Sequence, residues 1–310
     1  MRFVVALVLW AVSGLAFAGT GGWEAPAPLE QIAIWPGQAP DEGGHARPAE
    51  SVSQSSNLVA GRPWTAIHDV SRPTMTIFPP KGRNTGATMV VFPGGGFHVL
   101  AIDLEGTEIC DWMTAKGITC VLLKYRVPGT NHYYDEKCKC HRTPKVPRAL
   151  QDAQRTIRLV RARAKELQID PARIGVIGMS AGGYLVAQTS NIFDPVYKAV
   201  DEADKISSRP DFAVALYPGH LCRDGAKWDP TLHVSARATP TFLLQAWNDP
   251  VDNKCNSTLY ARALDAAGVS AEVHLYAKGG HAFGLRPTAD PITGWPHLVE
   301  DWLKAIGVLR

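Results

Sequence analysis

The chain has 310 residues, with 32 Lys and Arg against 29 Asp and Glu and 45% hydrophobic residues. That composition supports a packed core and excludes a disordered chain or a repeat array. A formal charge of +3, scattered and without a polybasic run, argues against nucleic acid as a partner.

Residues 1–18, MRFVVALVLWAVSGLAFA, combine a basic Arg2, an apolar stretch from Phe3 and the small-x-small triplet Ala16-Phe17-Ala18. They are expected to be a signal peptide cleaved after Ala18. The stretch is shorter than the ~20 residues a spanning helix needs and is interrupted by Ser13 and Gly14, so export to the periplasm or medium is expected rather than stable membrane insertion. Residues 19–71 are rich in Gly, Pro, Ser and Ala and are expected to form an extended lead-in packed on a catalytic unit that spans 72–310.

Within 72–310, apolar runs bounded by Gly and Pro predict buried strands at Met89–Phe92, Ile118–Leu123, Ile174–Ile177, Phe212–Leu216, Phe242–Leu244 and Val273–Tyr276. Helical spacing separates them. The clearest case is Arg148–Leu167, where Leu150, Ala153, Ile157, Val160, Ala164 and Leu167 form one apolar stripe and Arg and Lys fill the remaining face. Further helices are predicted at Glu105–Lys116, Ala181–Ser190, Ser257–Ala267 and Pro296–Ile306. Alternation of this kind predicts an α/β fold in three layers, a mainly parallel sheet with helices on both faces.

Six cysteines in an exported chain favour disulfides, and six allow 15 pairings. Cys222 and Cys255 are the preferred pair, because each follows a strand-like run and such loops gather at one end of a parallel sheet. Cys110 and Cys120 lie in apolar surroundings that suit buried free thiols equally well. His132, Cys138, Cys140 and His141 fall within ten residues, but Cys-x-Cys with an adjacent His is tighter than zinc-knuckle spacing. No metal or organic cofactor is expected. The loop 129–147 is instead assigned to the rim of the site, with Tyr133 and Tyr134 offered to substrate.

Gly178-Met179-Ser180-Ala181-Gly182 follows a predicted strand and opens a predicted helix, the setting a nucleophile elbow requires. A serine hydroxyl needs a base, and His281 in Gly279-Gly280-His281-Ala282-Phe283-Gly284 follows another strand. Asp249, in Trp247-Asn248-Asp249-Pro250, follows a third and is favoured as the acid that orients the ring. Asp252, three residues on, competes with it. The order Ser180, Asp249, His281 differs from that of the chymotrypsin and subtilisin folds. Oxyanion donors are assigned to the N–H groups of Gly95 and Gly96, in Pro93-Gly94-Gly95-Gly96-Phe97, and of Ala181. Trp64, Trp228 and Trp295 are noted as possible sugar-stacking rings, with packing the commoner use of such residues.

These motifs resemble those of the α/β-hydrolase superfamily, in its exported carbohydrate-esterase branch of acetylxylan-esterase-like and bacterial feruloyl-esterase-like proteins. The resemblance also rests on Ile34-Trp35-Pro36-Gly37, Ser71-Arg72-Pro73-Thr74, Leu123-Lys124-Tyr125-Arg126, Gln151-Asp152-Ala153-Gln154-Arg155 and the continuation Leu285-Arg286. It implies the α/β-hydrolase fold, ester hydrolysis through Ser180, His281 and Asp249, and an acylated carbohydrate as substrate. The sequence departs from the branch at Trp247-Asn248, where an acidic residue often precedes the acid, and in the Cys-rich loop. A short-chain carboxylesterase or lipase and a prolyl-oligopeptidase-like peptidase share the same motif order; the peptidase's accessory propeller would need a far longer chain.

Overall fold

A computed structural model describes residues 22–42, 48–128, 133–135, 140–142, 148–223 and 226–309. The expected signal peptide lies outside them. So do most of the Cys-rich loop and all of its side chains, with the zinc reading of His132, Cys138, Cys140 and His141 and the rim role of Tyr133 and Tyr134.

Eight strands form the central sheet: β1 (Gln31–Ala33), β2 (Thr74–Phe78), β3 (Thr88–Phe92), β4 (Thr119–Lys124), β5 (Ile174–Met179), β6 (Phe212–Leu216), β7 (Thr241–Ala246) and β8 (Ala271–Tyr276). Their spatial order is β1-β2-β4-β3-β5-β6-β7-β8. From β4 to β8 every neighbouring pair is parallel, while β2 runs antiparallel to both β1 and β4. Every residue of β3 to β7 is buried, which is why these strands read as continuous apolar runs. The edge strand β8 is different: its side chains alternate between exposed and half-buried, with Val273 and Leu275 on the exposed face, so the burial expected of that run is corrected, because at the sheet edge only one face of the strand is covered.

The helices packed around the sheet are α1 (Glu108–Ala115), α2 (Arg148–Ala162), α3 (Ala181–Thr189), α4 (Cys255–Ala266) and α5 (Trp295–Ala305). Beyond Ala162 the regular helix predicted to Leu167 gives way to turns. The Arg-bearing face of α2 is buried as well as its apolar stripe. Arg155 and Arg158 are buried, Arg155 pairing with Asp201 and Asp204 and donating to the Ile34 carbonyl, Arg158 reaching the Ile206 carbonyl and Tyr197. Segments on either side of α2 in sequence fold over this second face, and the guanidinium groups satisfy their carbonyls.

Both β1 and β2 escaped the sequence reading. β1 is three residues inside a Pro-rich stretch, and β2, Thr-Met-Thr-Ile-Phe, has only one short apolar pair. The lead-in is bound to the core by Trp35, whose indole N–H donates to Asp152 at 2.8 Å. Ser51–Gln54, Thr65–His68 and Val99–Ala101 form a small separate sheet. Cys222 and Cys255 are disulfide-bonded as expected. Cys110 and Cys120 are also bonded, with Cα atoms 5.2 Å apart, which removes the free-thiol alternative. No helix among the described residues is long and apolar enough to cross a membrane.

Candidate active site

Ser180 sits between the end of β5 and the first residue of α3 with φ 53° and ψ −118°, a left-handed conformation that a non-glycine residue holds only when its surroundings enforce it. Close packing does so. A Cβ on Gly178 would come within 2.2 Å of the Gly182 carbonyl oxygen, and one on Gly182 within 1.9 Å of that of Phe92. The flanking glycines therefore let strand, helix and the neighbouring strand β3 approach closely enough to lift the hydroxyl out of the turn.

The structure brings Ser180, His281 and Asp249 into one relay. Ser180 Oγ lies 2.9 Å from His281 Nε2, and His281 Nδ1 lies 2.8 Å from Asp249 Oδ2. Each side chain comes from the loop beyond a parallel strand: β5, β8 and β7 respectively. The other carboxylate oxygen of Asp249 accepts the backbone N–H groups of Val251 and Asp252, so the turn that carries the acid also orients it. Asn248 accepts from the N–H groups of Gly279 and Gly280 and ties this turn to the histidine loop. The departure at Trp247-Asn248 thus has a structural use.

Asp252, the competing acid, is placed elsewhere. Its Oδ2 is 3.4 Å from Ser180 Oγ and 3.7 Å from His281 Nε2. It faces the nucleophile side of the ring rather than Nδ1. Burial pushes its carboxyl up to about 6, against the lowering effect of a charged His281, with the Asp249 charge raising it further. Burial alone would push His281 down. The hydrogen bond to Asp249 and the charges of Asp252, Asp249 and Glu105 outweigh it and raise the imidazole.

The Gly-rich loop after β3 lies against the elbow, since a Cβ on Gly94 would come within 3.0 Å of Ser180 Cβ. Gly94 itself donates to Glu105 Oε2 at 2.8 Å. Among the described residues the N–H groups of Gly95, Gly96 and Ala181 donate to no protein acceptor, which leaves them open to a substrate oxygen. Glu105 is buried, and its other oxygen accepts the Tyr217 hydroxyl at 2.9 Å. Burial drives its carboxyl up, against the His281 charge and these two hydrogen bonds. Tyr217 packs edge-on to His281, ring centroids 4.9 Å apart, and Tyr125 donates to the Pro93 carbonyl. The roles of these three residues were missed in the sequence, where Glu105 stands only at the start of the helix predicted over Glu105–Lys116, which begins at Glu108 in the structure, and Tyr125 only within a motif of the resemblance.

Trp295 is excluded as a sugar platform: it is fully buried, and its indole donates to the Gly284 carbonyl. Trp228 stacks on Tyr260 and donates to the Leu232 carbonyl. Among the described residues no group of His, Cys, Asp and Glu side chains is arranged to hold a metal ion.

Comparison with known proteins agrees with this architecture. An acetyl ester-xyloside bifunctional hydrolase from Caldicellulosiruptor lactoaceticus superposes with a TM-score of 0.69 at 30% identity, covering 91% of this chain and 97% of that one. An acetylxylan esterase from Xylanibacter ruminicola is 27% identical over 265 residues, 77% of this chain and 50% of its own length. Endo-1,4-beta-xylanase B of Butyrivibrio fibrisolvens is 26% identical over 227 residues, 67% of this chain and 34% of its own. The chain thus spans half or less of these two relatives. The model of the prolyl oligopeptidase family matches residues 112–306, a stretch that holds Ser180, Asp249 and His281. With that match, the strand order and the elbow, the chain belongs to the prolyl oligopeptidase family of α/β-hydrolases, in its esterase-like branch.

Proposed function

We propose that this protein is an exported serine carboxylic ester hydrolase that removes acyl groups, acetyl or feruloyl, from plant polysaccharide or its oligomers. The observation that carries the chemistry is the relay from Ser180 through His281 to Asp249, at 2.9 and 2.8 Å. The substrate class rests on the xylan-related names of its relatives. The expected signal peptide and the two described disulfides support export.

Ser180 Oγ attacks the ester carbonyl while His281 Nε2 takes its proton, and Asp249 holds the ring with its proton on Nδ1 and balances the imidazolium charge. The N–H groups of Ala181, Gly95 and Gly96 receive the oxyanion. His281 returns the proton to the departing alcohol, and water, activated by the same base, releases the acid from Ser180. None of these steps calls for a metal or organic cofactor.

The test is a matched panel of p-nitrophenyl acetate, butyrate and octanoate, acetylated xylan, methyl ferulate and a prolyl peptide anilide, offered to the protein and to Ser180→Ala. Acetate release from xylan, lost in Ser180→Ala by on the order of 10⁴-fold or more, is the expected result. Best turnover of octanoate would move the protein to the lipases. Turnover of the anilide alone would make it a peptidase.

A further inference from the structure

Asp252 poses a chemical question that the relay leaves open. Its main chain is held in place: the backbone N–H donates to Asp249 Oδ1 at 2.9 Å, and the carbonyl accepts from the buried Gln245 side chain at 2.7 Å. The carboxylate lies against Gly219, where an added Cβ would come within 2.7 Å of Oδ1. Yet among the described residues its only side-chain hydrogen-bond partner is Ser180 Oγ at 3.4 Å, whose single hydrogen the relay directs to His281 Nε2 at 2.9 Å, and neither lysine nor arginine pairs with it. A mostly buried carboxylate with so few donors is costly unless something else supplies one.

The reaction cycle removes that hydrogen altogether. Once Ser180 Oγ has passed its proton to His281 and bonded to the acyl carbon, it has no hydrogen left for Asp252. The departing alcohol oxygen must at that moment lie near His281 Nε2 to receive the proton. Asp252 Oδ2 is 3.7 Å from that nitrogen, so it borders the space the alcohol occupies.

We propose that Asp252 is a specificity residue for the alcohol side of the substrate, accepting a hydrogen bond from a free hydroxyl on the carbon next to the esterified one. The substrate class it selects is the partly acylated diol or polyol, as in a sugar ring carrying one acyl group, over simple alkyl esters and over alcohols bearing a negative charge. This rests on the reading of Ser180 as the nucleophile of ester hydrolysis.

The experiment compares kcat/KM for ethyl, 2-methoxyethyl and 2-hydroxyethyl acetate with the unaltered protein, Asp252→Asn and Asp252→Val. The methoxy compound keeps the second oxygen and removes only its hydrogen. Because each preference is a ratio of two substrates on one enzyme, any change in His281 ionisation cancels. The unaltered protein is expected to favour the hydroxy over the methoxy ester by about tenfold or more, the size of a hydrogen bond to a charged group. That ratio should shrink in Asp252→Asn and approach unity in Asp252→Val. Should Asp252→Val fail to fold by circular dichroism, the isosteric Asp252→Asn carries the test alone.

A ratio near unity in the unaltered protein, a ratio retained in the variants, or an equal loss on all three acetates would overturn the assignment while leaving the esterase reading intact. Absence of Ser180-dependent turnover on any acetate would remove both.

Discussion

Two aspartates three residues apart receive different tasks from the same turn. The Asp249 side chain is fully buried and aimed at Nδ1, whereas that of Asp252 retains some exposure and looks at the other side of the ring. Asp249→Asn should therefore lower kcat by roughly 10⁴-fold, by favouring the wrong histidine tautomer, as stopped-flow or steady-state ester assays would register. The Asp252 charge, like that of Asp249, raises His281. Only neutral imidazole accepts the serine proton, so kcat/KM rises with pH through the raised His281 value. Removing one of the charges that raise it must move this limb to lower pH. A pH profile of Asp252→Asn should show that displacement, with Asp249 and Glu105 left as the acidic groups facing the ring; an unmoved limb would show that the charge is not felt there.

At the scale of elements, the Gly-rich loop after β3 and α2 are both held by buried polar groups that look unremarkable in sequence. Glu105 accepts from Gly94 on one oxygen and from Tyr217 on the other, which fixes the loop before substrate arrives. Glu105→Ala should cost kcat on the order of 10²-fold, the scale of a lost oxyanion donor, with the thermal midpoint followed in parallel to separate loosening of the loop from unfolding. On α2, Asp152 accepts from Arg126 and from the Trp35 indole, and both ionic side chains have 0% exposure. Arg126→Ala would leave Asp152 without a counter-charge in the interior, at a cost of about 3–5 kcal/mol, measurable by urea denaturation.

For the whole molecule, the parallel sheet sets the site by delivering loops after β3, β5, β6, β7 and β8 to one end. The Cys222–Cys255 bond joins two of these loops across 33 residues of sequence and anchors the start of α4 just beyond Asp252. The paired variant Cys222→Ser with Cys255→Ser should lose about 3–4 kcal/mol of unfolding free energy, the loop-closure entropy of a ring that size. Cys222 N also donates to Asn256 Oδ1 at 2.7 Å, so the fold should persist without the bond; a calorimetric scan under reducing and oxidising conditions would check both points.

The sequence by itself determined the central strands, the elbow, the histidine loop and the order in which they occur. Each is a local signal: a run of apolar residues covered on both faces, or glycines around a reactive residue. It also favoured Asp249 over Asp252 as the acid, on nearness to a strand end alone. Only the tertiary structure decided which aspartate meets Nδ1, that Cys110 and Cys120 are bonded, that Glu105 braces the Gly-rich loop after β3, and that the Arg-bearing face of α2 is buried. Those outcomes depend on which distant segments fold over a residue, because burial and pairing partners are properties of the packed chain and leave no periodicity or spacing in the stretch that carries them.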